Sequence, residues 1–169
     1  MALRRQLLTM AQYNLWATRR LFIAVDALSD EEYRSDVGLF FKSVHGTLNH
    51  IYVAEHDVWY PRIHDGVFPQ GIALDGEVEN DREKLKQMLL TKAERWVPLL
   101  ESCSDERLEG VFEYQDLSGV PNAKPFSLTM AHVFNHGTHH RGQVSAGVTM
   151  LGHPAPVLDL VYMLDGVGK

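Results

Sequence analysis

The sequence predicts an all-α protein. Three observations carry that prediction: four long stretches repeat apolar residues at helical spacing, three of them open on a Ser or Asn cap signal, and no segment sustains strand-like alternation. The first stretch covers residues 3 to 28, where Leu7, Leu8, Ala11, Leu15, Leu21, Phe22, Val25 and Leu28 recur without an interrupting Gly or Pro. Trp16 and Ile23 lie off that stripe, which predicts contact with two neighbours. Ser29 with Glu32 fits a capping box and predicts a further short helical turn, followed by a non-helical connection through Asp36, Gly38 and residues 39 to 41.

Ser43 is the expected N-cap of a second helix that runs to about His64, kinked at Pro61 and ended by Gly66. Residues 65 to 78 read as a loop. Asn80 with Glu83 repeats the capping-box pattern and opens a third helix through Leu85, Met88, Leu89, Trp96 and Leu99 toward Cys103, with Pro98 as its weak point. Between Glu109 and Phe126 the helical pattern fails. Val111, Phe112 and Tyr114 are strand-like and Ser118, Gly119, Pro121 and Asn122 are turn residues, so a small hairpin is expected. Ser127 is read as the cap of a fourth helix that extends to Leu151, roughly 37 Å at ~1.5 Å per residue, closed by Gly152 and Pro154. Residues 157 to 164 form a last short helix. Without internal repeats or a composition break, these elements predict one helical-bundle domain over residues 1–169.

Composition narrows the function classes. Of 169 residues 45% are hydrophobic and 22% charged, so one core of ordinary size needs no disulfide or metal merely to fold. The single Cys103 and the absence of a basic, then apolar, leader point to a reducing cytoplasm, and no stretch is apolar enough to span a bilayer. A net charge of -6 argues against nucleic acid as a partner, because phosphate neutralisation needs a basic footprint.

Histidine is the unusual count: there are nine, and His132, His136, His139 and His140 fall within nine consecutive positions. At roughly 100° per residue, His136 and His140 share the helix face of Val133, Val144, Gly147 and Leu151, which points inward. Buried imidazoles need partners for both ring nitrogens, supplied either by hydrogen bonds or by a metal ion. His132 and His139 lie at the edge of that face, so a third ligand is better supplied by a neighbouring helix. His50 offers one, on a face with Gly46, Thr47, Val53, Ala54 and Asp57. The opposite face carries Leu48, Tyr52 and Trp59; a helix apolar on two sides is central in its bundle or forms a subunit interface, which predicts a homodimer. Glu55 and Asp57 read as solvated groups or as support for the ligands. No Glu-x-x-His pair or H-E-x-x-H pattern is present, which disfavours di-iron and zincin sites.

Three segments resemble one family. Residues 135–143 (NHGTHHRGQ), residues 43–51 (SVHGTLNHI) and residues 13–17 (YNLWA), with residues 158–162 (LDLVY) near the end, are similar to the DinB family, named for DNA-damage-inducible bacterial proteins. The resemblance covers nearly the whole chain in the right order. It implies a four-helix bundle with up-down-down-up wiring, usually dimeric, that holds one divalent metal on His50, His136 and His140. His45, His132 and His139 are not its ligands. Relatives include bacillithiol S-transferases and mycothiol-dependent maleylpyruvate isomerases, and the family name implies expression under stress or damage.

Three neutral imidazoles leave a divalent ion its full charge and open positions, and zinc and nickel both suit them. Such an ion lowers the pKa of a bound water toward ~7 and deprotonates a bound thiol. Since Cys103 lies outside the motif, a thiolate would come from a low-molecular-weight thiol. The expectation is therefore a metal-dependent thiol S-transferase or small-molecule hydrolase; the alternative is a non-catalytic metal-binding or interaction protein. By position or type alone, Asp57, Tyr52 and Tyr162 are candidate general bases, and residues 65–79 and 109–126 are candidate covers of the site.

Overall fold

The computed structural model describes residues 2–166. Helix α1 (Ala2–Val25) is followed by α2 (Asp30–Arg34) and by α3 (Val44–Tyr52), which continues as two π-helical segments, Val53–Trp59 and Pro61–Asp65. Then come α4 (Arg82–Ala93), α5 (Trp96–Ser102), α6 (Asp105–Glu109), the antiparallel hairpin of β1 (Val111–Gln115) and β2 (Pro121–Pro125), α7 (Phe126–Met150) and α8 (Leu160–Leu164). The mostly helical class and the small hairpin are as the sequence predicts.

Several caps are where the sequence puts them. Ser29 and Glu32 exchange both capping-box hydrogen bonds, Ser43 Oγ accepts the Gly46 N–H at 3.0 Å, and Gly66 ends the π-helical stretch with a left-handed φ of 66°. Others differ for local reasons. The first helix stops at Val25, three residues early. Asp81 rather than Asn80 caps α4, accepting the Lys84 N–H at 2.9 Å. The expected third helix is broken by a turn at Glu94 and Arg95, which leaves Pro98 in the first turn of α5, where its missing N–H costs nothing. Ser127 is not a cap: α7 begins at Phe126, whose N–H donates to Gly110 O at 2.9 Å, so the entry of the hairpin satisfies that helix end. Helix α6, capped by Ser104, is an element the sequence reading left out.

Helix α1 packs on α7 and on α4 and α5, and α3 packs on α7 and on α4, so the long helical stretches close into a ring. Ile23 is exposed, while Trp16 is buried with Tyr13 and Ala17 against Leu158, Leu160 and Met163. Helix α3 is central: residues 47 to 54 are all buried within the chain, which accounts for its two apolar faces without a second subunit.

Among the described residues the interior holds two large apolar clusters beside the small one of Tyr13, Trp16 and Ala17. One holds Leu7, Ala11, Trp96, Met130 and Phe134, the other Leu21, Phe22, Leu48, Val144 and Val148. On α7 the residues between these two clusters are polar, and on α1 Asn14 and Thr18 are buried between them. Asn14 and Arg141 are buried there, together with Glu55, which is thus neither solvated nor a surface group. Asn14 Nδ2 donates to Glu55 Oε2 at 2.8 Å, and Arg141 Nη1 donates to Asn14 Oδ1, so one amide bridges a buried carboxylate and a buried guanidinium. Gly137 is required beside them, because a Cβ there would land on Glu55 Oε1, Arg141 Nη1 and Asn14 Oδ1.

Candidate metal centre

The polar layer carries the histidine cluster on its cavity side. His50 comes from α3, His136 and His140 from successive turns of α7, and their Nε2 atoms converge: 3.3 Å from His50 to His136, 3.1 Å from His50 to His140 and 3.1 Å from His140 to His136. Two ring orientations are fixed from behind. His50 Nδ1 contacts Leu74 O at 2.7 Å and His140 Nδ1 contacts Gln143 Oε1 at 2.7 Å. Both acceptors are oxygens, so each Nδ1 carries the proton and each Nε2 presents a lone pair. Phe41 stacks on the His50 ring at 3.9 Å between centroids and 17° between planes. It is brought there by the tight turn ending at Lys42, which has a φ of 67°, and Gly46 leaves room for the Phe41 carbonyl.

This donor set fits a divalent ion. Nitrogens bound at about 2.0–2.1 Å to a tetrahedral centre stand roughly 3.3–3.4 Å apart, and closer for a six-coordinate one, which brackets the observed spacings. Without an ion, two lone pairs held by Leu74 and Gln143 face each other at 3.1 Å with no proton between them. Protonation does not relieve this, because burial and the neighbouring histidines push His136 down to about 3, and burial pushes His140 down to about 4 and lowers His50. All three are neutral near pH 7, the form in which imidazole binds metal.

The remaining histidines are placed elsewhere. His45 is buried between the Tyr33 hydroxyl at 3.3 Å and Glu77 Oε2 at 3.0 Å. His132 and His139 are exposed at the rims of two cavities, and Cys103 is buried with Sγ donating to Leu99 O at 3.3 Å. His56 is 3% exposed with neither ring nitrogen hydrogen-bonded, and burial, aided by Lys92 and Arg95, pushes it down to about 3. Its folded-state value lies below the unfolded ~6.5, so the stability it contributes is present above pH ~6.5 and is lost as pH falls toward 3. His56→Leu is expected to match the parent at pH 7 and exceed it at pH 5 by up to about 2 kcal/mol, read by urea unfolding at both pH values. Equal pH slopes for the two proteins would refute this.

A cavity of about 760 Å³ opens on His50 and His136, and a second of about 510 Å³ is lined by His50, His140, Phe41 and Gln143 among others. The two expected covers form the first cavity's walls: Gly71, Ile72, Ala73 and Leu74 from the loop, Tyr114, Asp116, Leu117 and Ser118 from the hairpin. They are joined by Gly71 N–H to Leu117 O at 3.1 Å and Gln70 Nε2 to Gln115 Oε1 at 3.1 Å.

None of the three positional base candidates lines either cavity. Asp57 is half-buried with its carboxyl pushed up by burial, Tyr52 is buried against His56, and Tyr162 is exposed on α8. The reason is the π-helical widening after Tyr52. At about 4.4 residues per turn the face of His50 is continued by Ala54, Val58 and Arg62, and Asp57 rotates away from it. An α-helical wheel misses Arg62; the proline at 61, which cannot donate an α-helical hydrogen bond, is the only local signal of the change.

The model of the DinB family matches residues 3–166. Protein DinB of Bacillus subtilis (strain 168) is 25% identical over 153 residues, which cover 88% of this chain and 87% of that protein. No solved structure matches. Because the family match spans both helices that supply the histidines and nearly everything between and around them, the chain belongs to the DinB family.

Proposed function

We propose that this protein is a metal-dependent enzyme in which His50, His136 and His140 hold one divalent ion, zinc or nickel, for thiol S-transfer or hydrolysis of a small molecule. The observation that carries the reading is the 760 Å³ cavity, which brings a small molecule directly against His50 and His136 rather than sealing them. When bound, the ion supplies a positive centre that favours the deprotonated form of a thiol or a water. The chain's part is to keep three imidazoles neutral, to aim two of them through Leu74 O and Gln143, and to enclose the substrate between loop and hairpin. With Cys103 buried in the apolar cluster, the sulfur of a transfer reaction comes from a low-molecular-weight thiol. The ring of helix contacts supports the up-down-down-up four-helix bundle that the family resemblance implies; a homodimer and induction under stress or damage rest on that resemblance, one domain on the unbroken composition, and a cytoplasmic location on the single cysteine. Among the described residues no helix is long and apolar enough to cross a membrane.

Elemental analysis of untagged protein is expected to give one zinc or nickel per chain. The loaded protein should then turn over in a panel of thiols with electrophiles or in a panel of small esters and amides, and lose that turnover on chelation. Stoichiometric metal with no turnover in either panel would favour a non-catalytic metal-binding or interaction protein.

A further inference from the structure

The large cavity contains a cation that the metal centre does not use. Arg62 lines it and is 4% exposed, and its Nε and Nη2 are buried with no hydrogen-bond partner. Among the described residues no carboxylate forms an ion pair with it. Among the described residues the guanidinium is held by the ring faces of Trp59 and Tyr114, 5.0 Å and 5.3 Å from the centroids, and by the charge of Asp116 without an ion pair. Arginine does not escape such a position by losing its proton, so the cost of burying unpaired donors is carried by the fold. Residues that break this rule without compensation nearby are expected at binding sites.

The surroundings define what would relieve that cost. Among the described residues the one acid on the cavity wall, Asp116, already accepts the Ser118 and Val120 N–H groups and the Ser118 hydroxyl, which tie it to the hairpin turn. Its charge admits a singly charged group near Arg62 more readily than a dianion. Much of the remaining wall is apolar: Ala54, Val58, Ile72 and Leu117 line it.

We propose that Arg62 anchors the carboxylate of an otherwise apolar small substrate, holding it in the cavity with its reactive end toward His50 and His136. Arginine is suited to this because its planar fork of donors matches the two carboxylate oxygens. The assignment rests on the reading of this cavity as the substrate site of the metal centre, and it deepens that reading by naming the substrate class.

Calorimetric titration of the full chain as purified with benzoate, benzamide and phenyl phosphate tests it. Benzoate is expected to bind at least about tenfold more tightly than either of the others. The preference over benzamide should fall to near unity in Arg62→Met and be reduced but retained in Arg62→Lys. The thermal midpoint of Arg62→Met should change little, since no hydrogen bond or ion pair is lost and the loss of the two cation–ring contacts is offset by removing buried unpaired donors and by the contact of the thioether with the same rings; Arg62→Gln supplies the same arm if that variant does not fold. No preference for benzoate, or one that survives Arg62→Met, overturns the proposal. Tighter binding of phenyl phosphate overturns the carboxylate assignment. His136→Ala separates the two readings: preference lost there but kept in Arg62→Met would put the anion on the histidines and overturn the role of Arg62. Preference kept in His136→Ala, together with an absence of metal in the parent protein, would leave Arg62 as the anchor while the metal reading falls.

Discussion

His136→Ala is expected to leave the protein without stoichiometric metal, and the parent is expected to carry one ion per chain. Changing a group that merely orients a ligand costs about 10–100-fold in metal affinity, so deleting one of three ligands should cost more than 100-fold. The geometry makes His136 the sharpest choice. Its Nε2 lies 3.3 Å from that of His50 and 3.1 Å from that of His140, whereas its Nδ1 has no partner, so the alanine removes a ligand and no intramolecular hydrogen bond behind it. Metal binding to the folded state alone also stabilises it, by about 4 kcal/mol at a free concentration 1,000 times Kd. Added zinc or nickel should therefore raise the unfolding midpoint of the parent protein and leave that of the variant in place. Elemental analysis and thermal unfolding with and without metal check the two halves, and a variant that keeps one ion per chain would refute the ligand set. Gln143→Ala, which frees the His140 ring without touching an Nε2 atom, should show the intermediate 10–100-fold loss.

The fold was legible wherever a local signal suffices. Capping at Ser29 and Ser43, the stop at Gly66 and the strand character of residues 111 to 114 are decided within a few residues, and a sequence reading recovers them. The histidine cluster was half legible. Residues 136 and 140 are neighbours on any helix, but bringing residue 50 to them is a tertiary event that the face argument only suggests and the family pattern supplies. What stayed hidden depended on chain phase or on distant packing. The π-helical segments turned Arg62 into the cavity and Asp57 out of it. No spacing rule connects Phe41 to His50 across a tight turn, and Glu55 reads as solvated because its partners, Asn14 and Arg141, are far away in sequence.

Those partners make the second large expectation. Arg141→Met should destabilise the protein by about 3–5 kcal/mol, the usual consequence of stranding a buried charge. At 2–4 °C per kcal/mol for a chain of this size, the midpoint should fall by roughly 10 °C. Glu55 is 2% exposed and Arg141 1%, and they are joined through Asn14, with Arg141 Nη2 also bonded to Thr138 Oγ1 at 3.1 Å. Burial pushes the Glu55 carboxyl up and Arg141 opposes that, so removing the guanidinium leaves burial unopposed. The folded variant then holds a proton on Glu55 at a pH where the unfolded chain has released it. A folded-state value raised above the unfolded one contributes stability that grows as pH falls, so the deficit of Arg141→Met should narrow from pH 7 to pH 5. Glu55→Gln placed on top should restore part of the loss, with a coupling energy above about 1 kcal/mol in a double-mutant cycle. If the two substitutions add and the deficit is the same at both pH values, the buried pair is not what joins the two apolar clusters. The metal site would then owe its rigidity to α3 and α7 alone, and His50 and His140 would keep their affinity in the Arg141 variant.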